Sequence, residues 1–196
     1  MGVWGATHPT APNFAPGGTH GPVNFSDGNI TGIEGTVRVN FGDFIDALDG
    51  FGGFYSVTYS DAKIDPPGQN PIRIPGYSDL TWSSDIFYEK YGFRAKLAAR
   101  YRGGFLSEVP NFAGGLEGAE ALSETILDAQ LGYTFEKEGS VLNGVQVLAE
   151  VFNLTDQPFR TQNELFDAGG ASLGTSFPSR HEIYGRTFQF TIRKSF

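Results

Sequence analysis

The sequence predicts an all-β protein made of antiparallel strands of the transmembrane β-barrel type. Seven segments alternate apolar with polar residues, most are long enough to cross a bilayer, and the connections between them alternate in length. The composition agrees, because the 196 residues include 27 glycines, 14% aromatic residues and no cysteine. Successive side chains of a strand point to opposite faces, so each segment has one apolar and one polar face.

The alternating segments begin at residue 33 and continue to the last residue. They cover residues 33–41, 55–60, 79–89, 93–102, 127–135, 145–151 and 184–196. In the first three, apolar residues such as Ile33, Val57 and Trp82 alternate with hydroxyl-bearing or charged residues. In the fifth, sixth and seventh, apolar residues alternate mainly with Gln, Thr, Asp and Glu. Each segment is therefore predicted to be a strand.

The fourth segment is the most regular of the seven. Its apolar residues are Phe93, Ala95, Leu97, Ala99 and Tyr101, and they alternate with Arg94, Lys96, Arg100 and Arg102. A tilted strand needs about 9–11 residues to cross a bilayer, and lipid does not accept unpaired charges in mid-strand. One face is therefore expected to contact lipid and the other a wet interior. A soluble two-sheet sandwich with one solvated face is the alternative.

The connections between the segments are predicted to alternate between short turns and long loops. The short ones contain residues 46–50, 89–91 and 136–139, and the long ones contain residues 64–76, 107–123 and 157–183. Outer-membrane barrels have short periplasmic turns and longer extracellular loops, so residues 1–29 are expected to be a further extracellular loop. Seven strands are an odd number with two open edges, so the segment 30–196 is expected to be part of a larger barrel. Prolines within residues 2–25 disfavour an eighth strand there.

Several motifs resemble the carboxyl-terminal part of a TonB-dependent outer-membrane receptor. They are Glu150-Val-Phe-Asn-Leu-Thr-Asp156, then Tyr184-Gly-Arg before a terminal strand, Thr31-Gly-Ile-Glu34, and Tyr101-Arg-Gly-Gly-Phe105. The resemblance covers residues 30–196 and is most specific at Asn153-Leu-Thr-Asp156. Independently of it, Asn153 and Asp156 are predicted to end the sixth strand, because Asn and Asp bond to nearby backbone and tolerate turn conformations.

The resemblance implies a 22-stranded barrel of which this chain supplies the last seven strands. It implies a place in the bacterial outer membrane, where the receptor imports a scarce extracellular ligand such as a siderophore, a carbohydrate or cobalamin. The expected partners are outer-membrane lipid, the rest of the barrel, and a plug domain through which the TonB system acts; the plug is expected to lie outside this sequence. Phe196 resembles the terminal signal read by the assembly machinery, and it also fits an aromatic anchor at the membrane interface.

Candidate ligand contacts lie on the polar face and in the loops. Arg94, Arg100 and Arg102 form a cationic row with Lys96 that could attract an anionic ligand. The alternative is that these cations pair with plug carboxylates or with Asp128 on the neighbouring strand. The remaining candidates are Glu150 on the polar face and the aromatic residues Trp4 and Phe166, to which Phe112 and Phe177 can be added.

Composition and spacing exclude several other functions. The formal net charge of −8 and the isoelectric point near 4.8 leave no basic excess to bind nucleic acid. His8, His20 and His181 lack the spacing of a metal site, and no residues form a recognisable catalytic motif, so we expect neither a cofactor nor enzymatic activity. The first residues lack a secretory signal, so an exported protein would begin further upstream. Two alternatives to the importer stay open: an autonomous small pore and a soluble secreted binding module.

Overall fold

The computed structural model describes residues 27–65, 71–108, 117–167 and 172–194, and this part of the chain is all-β with antiparallel sheets. Its strands are β1 (Asp27–Asn40), β2 (Phe51–Asp65), β3 (Ile72–Arg73), β4 (Leu80–Lys90), β5 (Phe93–Arg102), β6 (Phe105–Glu108), β7 (Glu117–Ala121), β8 (Glu124–Thr134), β9 (Val145–Phe152), β10 (Phe159–Phe166), β11 (Ser172–Glu182) and β12 (Thr187–Lys194). No helix among these residues has the length and apolar character needed to span a membrane.

Seven long strands form the main sheet in the order in which they occur along the chain. The order is β1-β2-β4-β5-β8-β9-β12, with the short strand β3 paired to β2. These strands correspond to the seven alternating segments, so the prediction of seven antiparallel strands is confirmed. β1 begins at Asp27, inside the range 1–29 that was expected to be a loop. Residues 1–26, and Phe196 at the carboxyl terminus, lie outside the described residues.

One end of the main sheet, called the turn end below, carries its short connections. They are residues 41–50, the two-residue turn Tyr91-Gly92, and residues 135–144. Both Tyr91 and Gly92 have positive φ, 57° and 75°, which is the backbone of a type I′ hairpin turn. A Cβ on Gly92 would lie 2.4 Å from the Thr134 carbonyl oxygen, so the neighbouring strand also requires glycine there. Lys90 Nζ lies 2.7 Å from Asp49 Oδ2, and this hydrogen bond lowers the pKa of Asp49.

The opposite end, called the loop end, carries the long connections, and these differ from the expected irregular loops. They contain a second antiparallel sheet with the order β11-β10-β7-β6. β10 is central and pairs with both β7 and β11. In the described parts of these connections, strand pairing satisfies backbone hydrogen-bonding groups that an irregular segment would have to leave to water. The sequence prediction of long connections is correct in length, but their strands were missed.

The register of the main sheet keeps apolar side chains in line across it. One row, formed by directly paired residues, consists of Ile86, Leu97, Ala129, Val151 and Phe188. The row one residue away consists of Phe87, Lys96, Gln130, Glu150 and Gln189. Slipping any one strand by a single residue would turn its apolar side chains to the polar face. All seven strands therefore build one continuous apolar face and one polar face.

The apolar face is exposed in this chain. Leu97 is 47% exposed and Phe190 is 78% exposed, and no large side chain of the described residues is fully buried. The few buried apolar residues lie where the second sheet meets the loop end. They are Ala62, Ile72, Leu106 and Ala121. The long strands consequently have no dry core of their own.

The main sheet is open and is not closed into a barrel. In the described residues, β1 pairs only with β2 and β12 pairs only with β9. Within the described ranges, two long strand edges thus have no strand partner on their outer side. The expectation that the strands belong to a larger barrel stays a prediction.

Candidate functional site

The cationic row on the polar face of β5 is largely neutralised by carboxylates of the neighbouring strands. Arg94 lies 2.8 Å from Glu89, and Lys96 lies 3.2 Å from Asp85 of the same strand β4. On the other side, a third ion pair joins β5 to β8. Cross-strand neighbours of opposite charge stabilise a sheet, which explains this alternation of sign between strands.

That third pair joins Arg100 to Asp128, with 2.7 Å between Nη2 and Oδ2. Asp128 is the more enclosed partner, because its side chain is 19% exposed and that of Arg100 is 60% exposed. The alternative in which Asp128 pairs with the row is therefore confirmed for Arg100. Three of the four cations have an acidic partner within the chain, so the row is a weaker attractor of anions than its sequence suggests.

Arg102, the fourth cation, connects the main sheet to the long connections. Its guanidinium donates to the Gly76 carbonyl oxygen at 2.6 Å and to Ser78 Oγ at 3.1 Å. It also lies over the Phe105 ring, 3.7 Å from the ring centroid. These contacts engage two of its three guanidinium nitrogens and hold residues before β4 and after β5 together. We therefore interpret Arg102 as a positioning residue of the loop end.

A second linkage orders the second sheet against the loop end. Arg73 Nη2 lies 2.7 Å from Glu120 Oε1, and Gln162 Nε2 donates to the other carboxylate oxygen of Glu120 at 3.1 Å. Arg73 belongs to β3, Glu120 to β7 and Gln162 to β10, so a single carboxylate joins three segments of the connections. Sequence reasoning did not single out these residues, because their pairing depends on contacts between distant segments.

Asn153 ends β9 with a tight turn, as the sequence predicted. Asn153 and Asp156 both have positive φ, 56° and 55°. Asn153 Oδ1 accepts a hydrogen bond from the Gln157 amide at 2.8 Å, and its Nδ2 donates to the Gly185 carbonyl oxygen at 3.2 Å. The Asn153 amide donates to Asp128 Oδ1 at 3.0 Å, so Asp128 serves both this turn and Arg100.

A cavity of about 440 Å³ opens beside this turn, on the polar face at the loop end; we call it the exit cavity. It is lined by Arg100, Glu124, Ile126, Asp128, Phe152, Asn153, Gln157, Phe159, Tyr184, Gly185 and Thr187. The lining comes from the ends of β5, β8, β9 and β12 and from the connection between β9 and β12. The Tyr184 hydroxyl donates to the Glu182 carboxylate, and this hydrogen bond raises the pKa of Tyr184.

Two further cavities on the polar face hold other predicted residues. One of about 360 Å³ lies near the turn end and is lined by Arg94 and Lys96 together with Arg38. A smaller one, of about 160 Å³, is lined by Glu150 and Lys96. Arg94, Glu150 and Arg100 therefore line three different depressions, and the structure does not bring them into one site.

The remaining candidates are dispersed. Trp4, Phe112, His8 and His20 lie outside the described residues. Phe166 is the last residue of β10, while Phe177 and His181 belong to β11. No group of three metal-ligating side chains occurs in the described ranges. The sequence analysis did not name Phe152 as a candidate. Its position was a usable signal, since it is an aromatic residue on the polar side of an alternating strand.

No family model, no curated protein and no solved structure matches this chain.

Proposed function

We propose that this chain supplies seven membrane-spanning strands to an outer-membrane barrel of the TonB-dependent receptor type. The complete receptor would import a scarce small ligand from outside the cell, with the turn end in the periplasm and the loop end outside. The observation that carries the proposal is the continuous apolar face, which is exposed across seven strands in matching register. Contiguous apolar surfaces of this extent are typical of contact with another protein or with membrane.

Aromatic rings at two levels of the apolar face support a membrane environment. Near the turn end, the Phe51 and Tyr88 ring centroids lie 4.6 Å apart, and Phe93 lies 5.9 Å from Tyr88. Nearer the loop end, Trp82 stacks on Tyr101 at 5.6 Å. From Phe93 to Tyr101 the chain rises about 27 Å, or about 21 Å across a bilayer when tilted by about 40°. That height is close to the apolar band of about 25 Å found between aromatic girdles of such barrels.

The open edges of the main sheet support a larger assembly. In lipid, unpaired backbone groups at a sheet edge cost several kcal/mol each, so β1 and β12 both require partners. Further strands would provide those partners and would also enclose the polar face. An autonomous small pore would instead require β1 to pair with β12. A soluble sandwich would require another layer to cover the apolar face, and the second sheet leaves that face exposed.

Single-cysteine labelling tests the membrane orientation, because the chain has no cysteine of its own. Thr175→Cys places a thiol on β11 at the loop end, and Glu138→Cys places one in the turn between β8 and β9; both positions are exposed. In intact cells a membrane-impermeant maleimide should label Thr175→Cys and should leave Glu138→Cys unlabelled. Permeabilised cells, in which both should react, are the matched control.

Two results would overturn this orientation. The first is equal labelling of both variants in intact cells, and the second is recovery of the protein in the soluble fraction. Import itself is tested separately, by measuring the uptake of a ferric siderophore, a disaccharide and cobalamin. Cells with the gene intact are compared with cells from which codons 30–196 are deleted. Deletion should abolish uptake if the strands belong to the importer.

A further inference from the structure

Among the described residues that line the exit cavity, carboxylates outnumber cations. Its one cationic side chain, Arg100, is paired with Asp128, and a second carboxylate, Glu124, also lines the cavity. The lining therefore has a net negative formal charge. Because like charges repel, a strongly anionic ligand such as a ferric chelate would be opposed here rather than attracted. This argues against the anionic ligand that the cationic row suggested.

Three aromatic rings line the same cavity. They belong to Phe152, Phe159 and Tyr184, and in the described part of the chain no ring–ring contact engages them. Phe152 is 38% exposed and Tyr184 is 71% exposed, so their faces are accessible. Phe152 also lies on the polar side of β9, in the same alternation as Gln146 and Glu150. An open ring among polar residues fits a ligand that has both apolar C–H faces and polar edges.

Hydrogen-bonding groups lie beside the three rings in the exit cavity. The side-chain bonds of Asn153 hold its own turn, so we assign it a positioning role. Gln157 uses its Nε2 on the Pro158 carbonyl oxygen at 3.3 Å, which leaves its Oε1 as an acceptor. Glu124 adds carboxylate acceptors, and Thr187 adds a hydroxyl that can donate or accept. These groups suit hydroxyl donors and acceptors and need no charge on the ligand.

We propose that the exit cavity is a subsite for an uncharged saccharide. Sugar rings would lie against the aromatic faces, and their hydroxyls would bond to Gln157, Glu124 and Thr187. The cavity volume of about 440 Å³ falls within the range of about 300–1,000 Å³ that is typical of small-ligand sites. The proposal deepens the import function proposed above and rests on it for the access of the cavity to the outside.

Binding to outer membranes isolated from cells that make the protein tests this assignment. The probes are tritiated maltose, cellobiose and sucrose, with radiolabelled ferric citrate as the anionic comparison. We expect at least one disaccharide, and not ferric citrate, to be retained. Tyr184→Ala and Phe152→Ala should each weaken that binding by about two- to tenfold, the range typical of one aromatic contact. Tyr184→Phe keeps the ring and should bind more tightly than Tyr184→Ala.

Phe87→Ala is the matched control, because Phe87 is an aromatic residue on the same polar face that lines the cavity near the turn end. It should leave disaccharide binding within about twofold of the original protein. Tyr184 is largely exposed, so its replacement does not threaten folding, and the amount of protein in the membrane is measured for every variant. Retention of ferric citrate that depends on Tyr184, retention of no disaccharide, or equal effects of Tyr184→Ala and Phe87→Ala would overturn the subsite.

The two proposals fail in different ways. If the cysteine variants show the expected orientation and no disaccharide binds, the subsite is wrong and the importer stands. If a disaccharide binds in a Tyr184-dependent way while the orientation fails, the importer is wrong and the saccharide site stands.

Discussion

Two arginine variants at adjacent residues of β5 test whether the apolar face of the main sheet contacts lipid or water. Leu97 lies on the apolar face, four residues from Phe93 and four from Tyr101. At about 3.4 Å per residue it is about 14 Å along the strand from each aromatic level, which places it near the bilayer midplane of the proposed barrel. Leu97→Arg should therefore cost about 2–4 kcal/mol of unfolding free energy.

Ala98→Arg is the control for the same side chain on the polar face. Ala98 pairs directly with Asp85 on β4 and with Asp128 on β8, which already pair with Lys96 and Arg100, so an arginine there would join a wet face of balanced charges. Its cost should lie within about 0.5 kcal/mol of zero. The expected difference between the two variants is therefore at least about 1.5 kcal/mol.

The assay is urea unfolding of the protein, extracted in mild detergent from cells that make it and returned to phospholipid vesicles. If the apolar face met water, Leu97→Arg would replace a side chain that is already 47% exposed and would change the stability by no more than about 0.5 kcal/mol. Equal stabilities of the Leu97→Arg and Ala98→Arg proteins would thus refute the lipid-facing interpretation.

Three other variants test local features of the fold, each by the same unfolding measurement. Asp128→Ala should cost about 2–3 kcal/mol of unfolding free energy, because it removes both the ion pair with Arg100 and the acceptor of the Asn153 amide. Arg100→Ala removes only the ion pair and should cost about 1 kcal/mol or less. Equal costs would contradict the two roles of Asp128. Gly92→Ala should cost about 2–4 kcal/mol, since its Cβ would meet a carbonyl oxygen at 2.4 Å, and Gly139→Ala, with the same φ and open space, should cost about 1 kcal/mol. Asn153→Ala should cost about 1 kcal/mol more than Asn153→Gly, because glycine accepts the positive φ without strain and alanine does not; the reverse order would exclude backbone strain as the cause.

The turn at the end of β9 shows how far local chemistry can be predicted. An Asn and an Asp directly after an alternating segment predicted the strand end, and the observed hydrogen bonds of Asn153 confirm it. The motif did not reveal that the same turn is held by Asp128 of β8. A pattern of neighbouring residues specifies conformation, but it cannot identify a partner 25 residues away.

The candidate site was predicted less completely than the strands. Arg100 was correctly placed on the polar face, and its pairing with Asp128 was one of the alternatives that the sequence left open; the structure selects that pairing, which changes what Arg100 offers a ligand. The ring of Phe159 comes from a long connection that the sequence indicated only as a loop. Tyr184 was predicted to begin the seventh strand, but that strand begins at Thr187, so Tyr184 lies in the connection before it. Alternation assigns a residue to a face, whereas the depth of a cavity and the charge that remains in it depend on which strands lie side by side.

The amino-acid sequence by itself determined the seven strands, the two unlike faces and the alternation of short and long connections. These follow from a period of two and from turn-forming residues, which act within a few residues of one another. The tertiary structure alone decided the strand register, the second sheet at the loop end, which carboxylates pair with the β5 cations, and the composition of the exit cavity. Each of these arises where segments distant in the chain meet, because backbone pairing and side-chain charge are satisfied by whichever neighbour the fold provides.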